Sequence, residues 1–384
     1  MAGGRVLYLQ FADPSFYPPI EHSAFLLAER GWHVLQLGTY AADGKSQFPA
    51  AHSRIRIKRI RRVQNGWLLK LQYIMYFFWA LFWVWRWKPR WLYASDLLSC
   101  PIAWLIQRLV TVGVVYHEHD EPHAGRTAFL EIAISYRNRL GRDADICVLP
   151  EHERLLRFLK CTGRTRPTFC VWNCPRLDEI PRLYSGSERE LVIYYHGSIT
   201  SHRLPPHVVV AASRFKGAIR ICIAGYEVQG SFGYVKKLVK LAADHGVEDL
   251  IEPLGLIPRR DLLKVAARKG HVGLSLMPKR ATDINLQHMV GASNKAFDYM
   301  ACGIPILVTD LPDWSATFVA PAYARACDPD DPDSIEAELR WYLEHPRERR
   351  EMGRLCQEKI RNDWNYEKGF AHVLATLENG RCDV

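Results

Sequence analysis

The residues best suited to do chemistry lie between Ser293 and Asp310, where polar side chains open a short predicted helix. Asn294 and Lys295 stand at its first positions, and Asp298 follows one turn later. A helix N-terminus offers free backbone N–H groups and partial positive charge, so together with Asn294 and Lys295 it could hold phosphate oxygens. The carboxylate of Asp298 could accept hydrogen bonds from a ribose. An ordinary αβ unit with exposed Lys295 and Asp298 fits the same residues, and local chemistry alone leaves both interpretations open.

A helix and a buried strand position these side chains. Ser293 is a suitable N-cap, Gly303 is a suitable stop, and positions 296, 297, 300 and 301 form an apolar face between them. The apolar, β-branched run from Ile304 to Thr309 predicts a buried strand directly after the helix.

The run Asn-Lys-x-Phe-Asp-Tyr-Met-Ala-Cys-Gly-x-Pro in this stretch resembles the donor-nucleotide motif of retaining glycosyltransferases with the GT-B fold, nearest to family 4. Most members carry two glutamates eight positions apart, the second binding ribose hydroxyls and the first contacting the donor sugar. Asp298 stands at the second position and Val290 at the first, so the donor-sugar contact is unassigned. The resemblance implies an α/β chain with two facing doubly wound, Rossmann-like domains. It is strong over residues 191–310 and loose before them.

The same resemblance assigns further nucleotide contacts in the second domain. The strand from Leu191 ends in a glycine turn that approaches the diphosphate, and a basic residue after the turn pairs with it. The base lies near the turn around residues 256–258. The implied nucleotide-binding residues are Gly197, Ser198, Arg203, Ile257, Ser293, Asn294, Lys295 and Asp298. For Arg203, a solvated side chain is the alternative.

In the first domain, a strand opens onto residues 117–123, which hold three histidines and three carboxylates. A metal site is one interpretation, but no second ligand cluster with matching spacing accompanies it. The resemblance instead aligns His119 and Asp120 with a pair that faces the donor sugar, where His119 could bind a hydroxyl or stabilise charge at the reacting carbon. A loop histidine satisfied by neighbouring carboxylates is the alternative. A proline-rich loop (Pro14, Pro18 and Pro19) is expected after the first strand, and it offers Glu21 and His22 as acceptor contacts.

The mechanism implied by the resemblance is metal-independent hexosyl transfer with retained anomeric configuration, using no cofactor. Lys295 and Arg203 would stabilise the leaving diphosphate where a divalent cation acts in other enzymes, and His119 and Asp120 complete the catalytic set.

Residues 54–91 combine a strongly basic strand with a helix rich in tryptophan. Six positive residues lie between Arg54 and Arg62, and no charge occurs from Leu71 to Trp85. Fifteen uncharged residues fall short of the roughly 20 needed to span a bilayer. We therefore expect an interfacial helix that meets an anionic membrane surface, with a core helix beside an exposed basic strand as the alternative.

Charge and cysteine content suggest where the chain acts. Residues 1–180 hold 24 Lys+Arg against 15 Asp+Glu, so nearly all of the net charge of +10 belongs to the first half. This surplus favours an acidic partner. The ten cysteines include no Cys-x-x-Cys pair, which indicates a reducing compartment, and no signal peptide is expected. We predict a cytoplasmic protein, peripheral on the inner face of the membrane.

The predicted organisation is an acceptor-binding and membrane-associating domain over 1–175, a linker over 176–190, a nucleotide-sugar domain over 191–365 and a helix over 366–384 that returns to the first domain. A glycosyltransferase acting on a nucleotide-sugar and a lipid-linked acceptor, such as a polyprenyl-diphosphate saccharide in cell-surface polysaccharide or glycolipid synthesis, explains all these features. A nucleic-acid-binding protein explains only the charge, and its motifs are absent. An inactive, membrane-associated scaffold is the third hypothesis, favoured by Val290.

Overall fold

The computed structural model describes residues 3–14, 17–40, 52–63, 66–123, 127–183, 190–228 and 230–380. The chain divides into two compact units. Unit 1 comprises Met1–Asn173 and Tyr366–Val384, and unit 2 comprises Cys174–Asn365. Each unit holds a parallel sheet with helices, which is the α/β class predicted from the sequence.

Unit 1 is built on a parallel sheet whose strands were mostly expected from apolar runs. Its described strands are β1 (Arg5–Leu9), β2 (His33–Tyr40), β3 (Ile55–Arg61), β4 (Trp91–Ser95), β5 (Gly113–His117), β6 (Ile146–Leu149) and β7 (Thr168–Cys170). They lie in the order β3-β2-β1-β4-β5-β6-β7. The order reverses between β1 and β4, so the loops after these two strands leave a crevice at the carboxyl edge of the sheet.

Helices cover both faces of this sheet. They are α1 (Pro18–Glu29), α2 (Trp67–Trp87), α3 (Cys100–Leu109), α4 (Ala128–Asp143), α5 (His152–Thr162) and α14 (Tyr366–Asn379). Leu7 and Leu9 of β1 point to a core shared with α2 and α3, whereas Val6 and Tyr8 point to a core shared with α1 and α14. Alternate residues of one strand thus serve two cores, as expected for a sheet buried on both faces.

Unit 2 repeats the architecture with a second sheet. Its described strands are β8 (Leu191–Ile199), β9 (Ile219–Glu227), β10 (Ile251–Gly255), β11 (Val272–Ser275), β12 (Ile306–Thr309) and β13 (Ala324–Cys327). Its described helices are α6 (Pro206–Ser213), α7 (Tyr234–Asp244), α8 (Arg259–Lys269), α9 (Ile284–Gln287), α10 (Asn294–Ala301), α11 (Pro312–Trp314), α12 (Pro332–Glu344) and α13 (Pro346–Asn362). The strand order is β10-β9-β8-β11-β12-β13, which reverses between β8 and β11. The residues after β8 therefore stand where such sheets bind ligands.

Three segments differ from the sequence prediction. Pro18 and Pro19, expected in a loop, occupy the first turn of α1, where a missing N–H costs nothing. The described part of the predicted linker belongs to unit 2, and Glu179 within it is bonded to Arg259. The predicted helix from Leu71 to Trp85 is too short, because α2 spans 21 residues and includes a lysine and an arginine.

One side of α2 lacks any covering protein among the described residues. Its large exposed side chains, which we call the α2 apolar stripe, are between 45% and 71% exposed: Trp67, Leu68, Leu71, Ile74, Met75, Phe78, Phe82 and Trp85. With a mean hydropathy of 1.3, α2 is long and apolar enough to cross a membrane. The core helix of a soluble protein can have the same length and composition.

The other side of α2 packs on the sheet of unit 1. Tyr76, Ala80 and Val84 are buried there. The Tyr76 hydroxyl donates to the carbonyls of Gln10 and Leu37, at 3.1 and 2.9 Å, and the Tyr73 hydroxyl donates to the Leu98 carbonyl at 2.6 Å. These bonds tie α2 to the carboxyl edge of the sheet.

Candidate functional site

The glycine turn of β8 and the first turn of α10 form the centre of the candidate site in unit 2. Gly197 has φ 96°, a conformation that favours glycine. A β-carbon at Gly197 would lie 3.3 Å from Nζ of Lys295, so its absence lets the lysine approach the turn. The backbone N–H of His196 donates to the Tyr299 hydroxyl at 3.0 Å, which fixes β8 against α10. The structure thus brings together two segments about 100 residues apart in the chain.

Two positive side chains meet at this turn without a negative partner among the described residues. Lys295 is only 7% exposed and forms no ion pair there, and Arg203 donates to the Ser198 hydroxyl at 3.4 Å. Burial, followed by repulsion from Arg203, holds the pKa of Lys295 well below its usual range, against the attraction of Asp298. Two neighbouring cations with no carboxylate between them are arranged for an anionic ligand, whose charge would relieve the repulsion.

Asp298 is at the centre of a buried ion network. It is 1% exposed, and both its oxygens accept from Arg259, at 2.5 and 2.8 Å. His196 Nε2 lies 3.1 Å from the same carboxylate, and Arg259 also donates to Glu179 at 2.8 Å. Burial alone would raise the pKa of Asp298, but the charge and hydrogen bonds of Arg259, with the bond to His196, outweigh it and lower the pKa. Asp298 therefore anchors two neighbours, and its ribose contact stays a prediction.

The remaining predicted nucleotide contacts lie around this centre. Ser293 is at the N-cap position of α10 but makes no capping hydrogen bond with its side chain. Asn294 is half-buried, and its Oδ1 has no partner within the described residues. Ile257 is half-buried in the turn between β10 and α8, two residues before Arg259. The network of Arg259 therefore links the predicted base turn to α10.

In unit 1, His119 lies at the carboxyl edge of the sheet, just after β5. Its Nε2 is 2.8 Å from the Ser95 hydroxyl, and the rings of Tyr17 and His117 lie against it. Burial lowers the pKa of His119 to about 3, so the imidazole is neutral near neutral pH. It can therefore exchange hydrogen bonds with a sugar hydroxyl. The alternative interpretation expected neighbouring carboxylates to bond to His119, but its partner is the Ser95 hydroxyl. Asp120 is exposed and lies 3.5 Å from Arg154.

The two predicted acceptor contacts lie on α1. Glu21 is half-buried in the first turn of this helix. His22 is 0% exposed, with its ring 5.0 Å from that of Tyr366 on α14. His22 therefore packs in the core of unit 1 and presents no accessible atom to an acceptor, which corrects the prediction. Among the described residues, no three potential metal ligands form a group.

Sequence reasoning missed Arg259, Glu179 and His196. One signal was available: Arg259 opens α8, where the partial positive charge of a helix N-terminus disfavours a cation. An arginine in that place calls for a carboxylate close by. The partner, 39 residues further along, is visible only in the fold.

Comparison with known proteins agrees with this architecture. Residues 211–375 match a family model described as glycosyl transferase-like. No protein with a curated description is significantly similar in sequence.

Three solved structures of similar fold cover almost the whole chain. Sucrose-phosphate synthase from Thermosynechococcus elongatus has a TM-score of 0.71 at 14% identity, covering 98% of both chains. Anabaena HepE, solved with UDP and glucose, has a TM-score of 0.73 at 14% identity over 98% of this chain and 100% of its own. WaaG, a glycosyltransferase involved in lipopolysaccharide biosynthesis, has a TM-score of 0.66 at 11% identity, covering 96% of this chain and 98% of its own. The fold is therefore the predicted GT-B fold.

Proposed function

We propose that the protein is a retaining, metal-independent glycosyltransferase that moves a hexosyl group from a nucleotide-sugar to a lipid-linked saccharide. The observation that carries the proposal is the pair Lys295 and Arg203 at the Gly197 turn, held without a carboxylate partner in the described chain. In this proposal the two cations bind the donor diphosphate and stabilise it as it leaves. His119 donates or accepts a hydrogen bond at the donor sugar, and Asp298 with Ile257 serves the nucleoside. The family-4 motif supports the retaining outcome.

The donor half of the proposal is tested by replacing Lys295 with alanine. Losing one preorganised charge should lower turnover by roughly 100-fold or more. Lys279→Ala is the matched control, since Lys279 is an exposed lysine of unit 2 paired with Asp328, and it should leave turnover unchanged. A thermal-shift screen of UDP, GDP, CDP and their sugars identifies the donor first. Equal turnover in wild type and Lys295→Ala, or a strict need for added metal, would overturn the proposed mechanism.

The acceptor half rests on the α2 apolar stripe and the charges beside it. Indole and phenyl groups on a helix that lies along a bilayer surface reach the headgroup boundary, and exposed cations attract anionic lipid. The exposed cations near the stripe are Arg56, Lys58, Arg61, Lys70, Arg86 and Lys88. A spanning arrangement is disfavoured, because it would remove Tyr76 and its two hydrogen bonds from the sheet. The proposal therefore includes docking at the cytoplasmic face of the membrane, where a polyprenyl-diphosphate saccharide would be presented.

Vesicle binding tests this placement. Arg59 was expected on the basic face but is largely buried against Asp13 at 3.5 Å, so the charge variant contains only Arg56→Gln and Lys58→Gln. At about 1 kcal/mol per charge, it should bind anionic vesicles roughly 30-fold more weakly.

Phe78→Ser should also weaken vesicle binding, whereas Phe232→Ser, which alters an aromatic of unit 2 that is 73% exposed, serves as the control. Unchanged binding in both the charge variant and Phe78→Ser would show that the stripe does not meet lipid.

A second candidate function is a nucleotide-binding scaffold without turnover. Val290 favours it, because this side chain is apolar and 5% exposed where the related motif carries the glutamate that contacts the donor sugar. Donor turnover separates the two candidates. A protein that binds the nucleotide tightly yet neither transfers nor hydrolyses any nucleotide-sugar is the scaffold.

A further inference from the structure

Asp96 is the first residue after β4, on the edge of unit 1 where a ligand crevice is expected. The strand order reverses between β1 and β4, so the loop that begins with Asp96 borders that crevice. Its neighbour Ser95 holds the ring of His119 at 2.8 Å. Asp96 and the histidine proposed to face the donor sugar therefore share one edge of the sheet.

The backbone at Asp96 is held in a conformation that suits glycine. Its φ of 77° and ψ of 152° lie where other residues are rare. The surrounding turn enforces it: the Ser99 N–H donates to the Asp96 carbonyl at 3.1 Å, and the Ser99 hydroxyl donates to the Leu9 carbonyl at 2.9 Å. Glycine would relieve this strain but would lose the side chain, which caps the following helical turn by accepting the Leu97 N–H.

The carboxyl group forms no salt bridge within the described chain, although the charge of Arg62 attracts it. Its Oδ1 accepts from the Leu97 N–H at 2.6 Å, and it forms no ion pair. Other buried carboxylates of unit 1 are paired, since Glu118 is bonded to Arg137 at 2.5 Å and Asp13 meets Arg59. The Leu98 N–H also bonds to this carboxylate, but a carboxylate has about four lone-pair sites, so Asp96 can still accept a hydrogen bond from a ligand.

Burial, together with the nearby charge of Asp120, raises the pKa of Asp96 to about 6, against the lowering effects of Arg62 and of the Leu97 and Leu98 N–H groups. The other titratable groups that feel its charge are Tyr73 and Tyr76 of α2 and Cys100 of α3. The carboxyl group therefore changes its charge near pH 6, within the pH range in which enzymes are usually assayed.

We propose that Asp96 binds the attacking hydroxyl of the saccharide acceptor and orients it, an inference that rests on the proposed transferase function. The hydroxyl donates its hydrogen bond to the carboxylate of Asp96. Its oxygen forms the new bond to the anomeric carbon, while the bond from that carbon to the diphosphate breaks and the nucleoside diphosphate leaves with the electron pair. The hydroxyl proton passes to an oxygen of the departing diphosphate, so Asp96 stays ionised and positions the nucleophile.

Asp96→Asn is the first test, since it keeps the side-chain shape and the bond from Leu97. Loss of a charged acceptor should lower kcat/KM for the saccharide acceptor by roughly 10- to 100-fold. It should also remove the fall in kcat/KM that we expect for wild type below about pH 6. A variant with wild-type kcat/KM and the same acid limb overturns this inference alone. A wild-type protein that transfers to no lipid-linked acceptor overturns the proposed function and this inference with it.

Asp96→Gly separates positioning from a structural role. If Asp96 is kept for the acceptor, glycine should raise the Tm by relieving the backbone while transfer falls. Lys216→Gly is the matched control, because Lys216 also has positive φ, at 44°, in a turn of unit 2. It should raise the Tm without changing transfer. An Asp96→Gly variant with lower Tm and normal transfer per folded molecule would make Asp96 structural.

Discussion

Replacing Arg259 with leucine tests how the candidate site of unit 2 is held together. The arginine is 14% exposed and donates four hydrogen bonds, two to Asp298 and two to Glu179, at 2.5 to 3.3 Å. Leucine would leave the buried Asp298 carboxylate with His196 alone. Breaking a buried pair in this way costs about 3–5 kcal/mol. For a unit of this size, thermal unfolding should shift down by roughly 6–20 °C.

The deficit should depend on pH. In wild type the lowered pKa of Asp298 contributes stability that is present above the ordinary aspartate pKa of 3.8 and is lost as pH falls through the lower folded value. Without Arg259 that contribution is missing. The difference in the free energy of unfolding between variant and wild type should therefore be largest near neutral pH and smaller in acid. Thermal unfolding followed by circular dichroism at several pH values measures it.

The neighbouring Arg260 provides the control. Its side chain is 75% exposed and meets Asp261 at 3.3 Å, so Arg260→Leu should change stability by less than about 1 kcal/mol. If Arg259→Leu unfolds within about 2 °C of wild type, as the control should, the network contributes little and the argument from its burial is wrong.

Three further predictions follow from single contacts. Burial and a neighbouring arginine lower the pKa of free Lys295, so an anionic nucleotide should raise this pKa when it binds, and a nucleotide affinity that shows no dependence on pH through the alkaline range would contradict this. A β-carbon at Gly225 would lie 1.9 Å from the Gly197 carbonyl, so Gly225→Ala should weaken nucleotide binding at least tenfold in calorimetry, whereas Gly369→Ala, whose β-carbon would make an ordinary contact with Val171 Cγ1 at 3.6 Å, should not. Folding raises the pKa of Asp96 from 3.8 to about 6, so wild type should lose stability as the pH rises from 3.8 to about 6. Above that range the free energy of unfolding of Asp96→Asn should exceed that of wild type by up to roughly 3 kcal/mol, which urea unfolding at several pH values measures.

The residues that meet at the centre of the candidate site in unit 2 could be named from the sequence because their signals are local. A helix start with Asn294 and Lys295, a glycine stop and an apolar strand all lie within one short stretch, and the Gly197 turn follows a clear strand. The partners of these residues were not predictable. Arg259 reaches Asp298 across 39 residues, and no periodic pattern encodes that contact.

The acceptor side shows why other features escaped prediction. The charge-free run that begins at Leu71 predicted too short a length for α2. The helix also includes Lys70 and Arg86 near its ends, because both side chains can expose their charges. His22 looked available beside prolines, yet α1 begins at those prolines and turns the imidazole inward. The positive φ of Asp96 depends on the turn that follows it, which composition does not reveal.

The bonds of Tyr73 and Tyr76 have a geometric consequence for the proposed membrane docking. They join α2, the helix proposed to meet lipid, to the backbone that borders the crevice of unit 1, so the two cannot shift independently. With α2 resting in the headgroup layer, Asp96 would stand at a constant height above the acyl chains. Unit 1 would then select an acceptor hydroxyl by its distance from the lipid anchor. A saccharide that is one sugar longer or shorter would hold its terminal hydroxyl too far from Asp96.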